Sequence, residues 1–129
     1  MRTLGISLFW LITMTFTENL AVAAQQTDLS GDWEIQEEER SYIATLDRDG
    51  NGSYTWQNGQ ITTTARFDNR WQGTWQQPGN DREGGFDAML SDDGTSAKGT
   101  WWYTRVGQQM IPPGEWGGEF TWKCLTAAP

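Results

Sequence analysis

Residues 115–124 read EWGGEFTWKC, and their alternation decides the fold. In an extended chain successive side chains point to opposite faces. Trp116, Gly118, Phe120, Trp122 and Cys124 then share one face, while Glu115, Glu119, Thr121 and Lys123 share the other. One face is aromatic and small, the other charged and polar, which is the signature of a half-buried strand.

Working back along the chain, the same two-residue period recurs. Strands are predicted near 32–37, 41–47, 52–57, 60–67, 70–76, 84–90 and 97–104, with 115–124 the eighth. Parity places Tyr42, Ala44 and Leu46 inside, then Ile61, Thr63, Ala65 and Phe67, then Trp71, Gly73 and Trp75. It continues with Phe86, Ala88 and Leu90, and with Ala97, Gly99, Trp101 and Tyr103. No segment after Leu29 has the three-and-four apolar spacing of an amphipathic helix. The joints carry Asp49-Gly50-Asn51-Gly52, Asn58-Gly59 and Asp93-Gly94, residues that tolerate the positive φ of tight hairpins.

Short strands with one wet face and short connections suit an all-β fold, an eight-stranded antiparallel up-and-down β-barrel. Closure removes exposed sheet edges, and eight strands enclose an interior that side chains fill or that holds one small ligand. A β-sandwich explains the same alternation. Glycines at 73, 99 and 118 share the inward parity with tryptophans, and small beside large is how a narrow barrel accommodates indoles. Two longer loops, 77–84 and 106–114, would cover the barrel mouth if they lie at one end.

The chain has 129 residues, room for one domain after a leader. Residues 1–24 carry Arg2, an apolar run and Ala21-Val22-Ala23-Ala24, the plan of a signal peptide cleaved near Ala23 or Ala24. That leaves 25–129 as a single barrel domain, secreted or periplasmic. Removing 1–24 takes away Arg2 and Glu18 and leaves the net charge at −8. So acidic a surface repels phosphate backbones and anionic lipid, which argues against nucleic acid and, after leader cleavage, against membranes. Histidine is absent, which excludes Ser-His and Cys-His nucleophiles and the usual zinc ligand. Cys124 has no partner for an internal disulfide, so it is a small hydrophobe or an intermolecular thiol.

Carboxylate chemistry would have to come from Asp32, Glu34, Asp87, Glu115 or Glu119. All take the outward parity, where water keeps a carboxyl ordinary. The run Glu37-Glu38-Glu39-Arg40 reads as a solvated turn. Asp47, Asp49 and Asn51 match the first half of a calcium loop, but Asn58 stands where a bidentate glutamate is needed and both flanks alternate as strands. A hairpin turn is the expectation there, with no metal and no cofactor.

Binding is better supported. Nine tryptophans occur, all but Trp10 beyond residue 24. The interior parity of Trp33, Trp71, Trp75, Trp101, Tyr103 and Trp116 makes either a close-packed core or an aromatic-lined mouth for a small, mainly apolar ligand. Trp102 points outward, as a surface contact for a sugar or protein partner or under a covering segment.

Leu29-Ser30-Gly31-Asp32-Trp33, with the Gly-Thr-Trp strands at 73–75 and 99–101, resembles the calycin group and, at its start, the avidins. The resemblance implies an up-and-down barrel with a ligand at its mouth. Ile35 stands where avidins place an asparagine that holds biotin, so the resemblance carries the fold and the mouth site and not biotin.

Overall fold

Alternation along the chain becomes nine strands, β1 (Gly31–Gln36), β2 (Ser41–Leu46), β3 (Gly52–Tyr54), β4 (Gly59–Phe67), β5 (Arg70–Gln77), β6 (Arg82–Leu90), β7 (Ser96–Val106), β8 (Gln109–Met110) and β9 (Gly117–Cys124). They are seen in a computed structural model that describes residues 26–126. The leader read at 1–24 lies outside the described residues. From β1 to β7 each strand pairs antiparallel with the next, β7 also pairs with β9, and β9 returns to β1. Eight strands thus close a barrel, and β8 is a two-residue ribbon folded onto β7. The barrel, not the sandwich, is the fold.

Register explains how a narrow barrel takes so many rings. Inward neighbours around the circuit alternate in size: Gly73 lies beside Phe86, Phe86 beside Trp101, and Trp101 beside Gly118. In the next layers Trp75 lies beside Gly84, Trp71 beside Ala88, Gly99 beside Phe120, and Ala97 beside Trp122. A methyl at Gly73 would meet the Phe86 ring at 2.7 Å. Glycine there is a spatial requirement, as in other small barrels whose inner faces alternate small and large.

One half of the barrel is filled. Trp33, Trp71, Trp122, Phe86, Leu29 and Ile35 are fully buried. Trp71 and Trp122 sit 4.8 Å apart by ring centroid, with Trp33 edge-on to both. Two of the deepest indoles find partners for their N–H groups: Trp33 Nε1 donates to Leu29 O at 3.0 Å and Trp71 Nε1 to Thr63 Oγ1 at 2.8 Å. Buried indoles generally need such a partner. The segment before β1 is tied in by the Leu29 amide, which donates to Arg48 O.

Two inward expectations are corrected. Between Thr63 and Ala65 the β4–β5 register shifts, and a bulge reverses the parity that follows. Arg66 therefore pairs with inward-facing Trp71, while Ala65 and Phe67 turn out, with Phe67 52% exposed. The last strand begins at Gly117, and Trp116 before it is 51% exposed. Its carbonyl still accepts from the Tyr103 amide on β7, but on the other side β1 ends at Gln36, opposite Thr121, and gives it no strand neighbour.

Trp102 keeps its outward parity and is half-buried, because its indole lies over Gly85, where a methyl would meet the ring at 2.7 Å. Trp102→Ala is expected to lower the unfolding free energy by about 1 kcal/mol, the scale of an ordinary substitution outside the core. The check is the chemical-denaturation midpoint; a loss as large as that of a core tryptophan would contradict the placement.

The acidic stretch 47–51 is the β2–β3 turn. Gly50 has φ +86°, and the Gly50 amide donates to Asp47 O at 3.0 Å. Asp47 Oδ1 accepts from the amides of Asp49 and Asn51, and Asn51 Oδ1 accepts from the Thr63 amide. The calcium reading assigned these same oxygens to an ion. Cys124 is half-buried and packs against the core.

Candidate functional site

The other half of the barrel is hollow. A cavity of about 320 Å³ opens at the end where the 37–40, 55–58, 78–81 and 107–116 connections gather. Both long loops lie at that end. Ligand pockets typically run from about 300 to 1,000 Å³, so the space suits a small molecule.

Two aromatic groups line it. Tyr42 and Tyr54, on β2 and β3, lie 5.1 Å apart by ring centroid. Trp75, Trp101 and Tyr103, on β5 and β7, form a cluster with centroid spacings of 6.2, 5.5 and 5.2 Å. Trp56, from the turn after β3, carries the Arg40 guanidinium over its ring at 4.5 Å. Phe86, Phe120 and Trp122 form deeper lining.

Polar groups are set among these rings. Tyr42 donates its hydroxyl to Glu37, which also holds Arg40 at 3.0 Å. Gln77 Nε2 donates to the Tyr54 hydroxyl at 2.7 Å, and Arg82 donates to the Tyr103 hydroxyl at 3.1 Å. Four buried side-chain polar atoms make no hydrogen bond among the described residues: Asn80 Oδ1, Arg82 Nε, Trp101 Nε1 and Trp122 Nε1. All four belong to residues that line this cavity. Native proteins leave few buried polar groups unpaired, since each such group costs about 1–3 kcal/mol.

Of the residues the sequence pointed to, Trp75, Trp101 and Tyr103 line the cavity, whereas Trp33 and Trp71 belong to the filled half. Trp116 stacks edge-on against Tyr103 at 5.3 Å but stands outside the lining, at the rim. Trp102 lies on the outer face. The carboxylates Asp32, Glu34, Asp87, Glu115 and Glu119 are not in the lining either. Asp87 is held below the usual carboxylate range by its hydrogen bond and charge pairing with Arg70, at 2.6 Å.

Sequence reasoning missed the polar lining. Glu37 and Arg40 are not a merely solvated turn: the Glu37 side chain is nearly buried, and both line the cavity. Gln77 and Arg82 fell in a stretch read as loop, yet they extend the inward parity of 71, 73, 75 and of 84, 86, 88 by one step each.

Burial pushes both the Tyr42 and Tyr54 phenols above their ordinary value. At Tyr42 the Glu37 carboxylate adds to the effect; at Tyr54 the Gln77 hydrogen bond opposes it. A proton bound more tightly in the folded state gives stability that is complete below the unfolded phenol value of about 10 and lost as pH climbs toward the folded value. The phenolate absorbance of these two residues is therefore expected to emerge only with alkaline unfolding. Its reversible appearance near pH 10 with the barrel intact would contradict their burial.

Compared with family models, curated proteins and solved structures, the chain matches none.

Proposed function

We propose that this barrel is a secreted or periplasmic, non-enzymatic binding module that takes a small, mainly apolar or aromatic ligand into its open-end cavity. One observation carries the reading: the four residues that hold unpaired buried polar atoms all line one aromatic cavity. In the filled half, by contrast, the Trp33 and Trp71 indoles both find partners. A few polar groups amid aromatic walls is how ligand pockets fix orientation. The calycin-like start of the chain supports a mouth ligand in the same sense.

Binding is favoured over catalysis by the composition of the lining. Glu37 is its one carboxylate among the described residues, already engaged by Arg40 and Tyr42. Hydrolysis by paired carboxylates needs two flanking the scissile bond.

The test is tryptophan emission titrated with 2-naphthamide, a neutral two-ring probe. A saturable change is expected. Trp101→Ala should weaken the midpoint about tenfold, the scale of one lost aromatic contact, and Trp102→Ala on the outer face should leave it in place. An emission spectrum indifferent to the probe would overturn the reading.

A further inference from the structure

The cavity lining has a polarity that the ligand must match. Of its four unpaired buried atoms, Arg82 Nε, Trp101 Nε1 and Trp122 Nε1 are donors, and Asn80 Oδ1 is an acceptor. Donors outnumber acceptors three to one among the unpaired polar atoms of the lining residues.

Charge sharpens the point. The lining holds two guanidinium groups, Arg40 and Arg82, and one carboxylate, Glu37. Arg40 is neutralised by Glu37 at 3.0 Å. Arg82 makes no ion pair among the described residues; it donates to the Tyr103 hydroxyl and lies over that ring at 5.5 Å. The acids on either side of it in sequence, Asp81 and Glu83, are both held by Arg105, at 2.8 and 3.4 Å. In a chain of net charge −8 an unpaired cation facing a cavity is conspicuous, because partly desolvating a charge without a counter-ion is unfavourable.

From this juxtaposition we infer that the ligand is an aromatic monocarboxylate, its ring among Trp75, Trp101 and Tyr103 and its carboxylate on Arg82. A carboxylate offers two acceptor oxygens with about four lone-pair sites, the match for a guanidinium's fork of N–H donors. One unpaired guanidinium matches one negative charge. The inference rests on the binding reading above and adds the chemistry of the ligand's polar end.

Calorimetric titration of the protein with 2-naphthoate and with 2-naphthamide separates the two. The rings are the same and only the charged acceptor differs. The carboxylate is expected to bind about tenfold or more tightly than the amide, since hydrogen bonds to charged groups are the stronger class. In Arg82→Met that ratio should fall to about one, and Arg82→Lys should restore part of it. Amide binding equal to or tighter than carboxylate binding in the unaltered protein would overturn the charge assignment while leaving the cavity reading intact. A full carboxylate preference in a folded Arg82→Met would also overturn it. Binding of neither probe would overturn the cavity reading on which it stands.

Discussion

Trp71→Ala is expected to lower the unfolding free energy by about 3–5 kcal/mol, the range for deleting a fully buried aromatic side chain. The indole is 0% exposed and touches Trp33, Phe86 and Trp122, with centroids 4.8–5.8 Å away. Its N–H also donates to Thr63 Oγ1, which itself donates to Gly50 O at 2.7 Å. Truncation thus opens a large void and loosens the β2–β3 turn through Thr63. The neighbours cannot collapse into the space, because the ring layers on either side are fixed by strand register. Small domains have only about 5–15 kcal/mol of stability in total, so a substantial unfolded fraction should be visible by circular dichroism at moderate denaturant. A loss near that of Trp102→Ala would mean the filled half is not packed as described.

Gly84→Ala is the second large effect, expected at about 1–3 kcal/mol, the scale of overpacking. A methyl at Gly84 would stand 1.8 Å from the Trp102 carbonyl oxygen and 2.5 Å from the Trp75 ring. The carbonyl belongs to β7, beside the register shift between Glu83 and Gly84, and it cannot move without disturbing the ladder. The ring cannot yield freely either, since Trp75 Nε1 donates to Gly85 O at 3.1 Å. Because Trp75 also lines the cavity, the substitution should weaken probe binding along with thermal stability. A Gly84→Ala protein that melts as the parent does would show that the strands have more slack here than the register allows.

The fold was legible where the period of two ran unbroken. In β5, Trp71, Gly73 and Trp75 follow it without interruption, and in β6 so do Phe86, Ala88 and Leu90. The reading failed at Ala65 and Phe67 because a bulge adds one residue without any glycine or proline to announce it. Trp116 misled for a different reason: parity says which face a residue takes, not whether the strand's neighbours extend far enough to cover it.

The site was legible in its aromatic part only. Trp75, Trp101 and Tyr103 fall on the inward parity, but so do the fully buried Trp33 and Trp71, and no local pattern distinguishes a wall from a core. That distinction depends on which side chains from distant strands share a layer. Arg82 and Gln77 could have been found by continuing the strands into the loop that joins them. Glu37 could not, because its burial depends on the Tyr42 hydroxyl five residues away and on Arg40 closing over Trp56.

The most direct test of a ligand in the open-end cavity is a native mass spectrum of the protein gently purified from its own host, set beside its denatured mass. The expected result is a discrete small-molecule mass carried by the folded chain and lost on unfolding. A folded chain at its bare mass in every preparation would contradict the binding account.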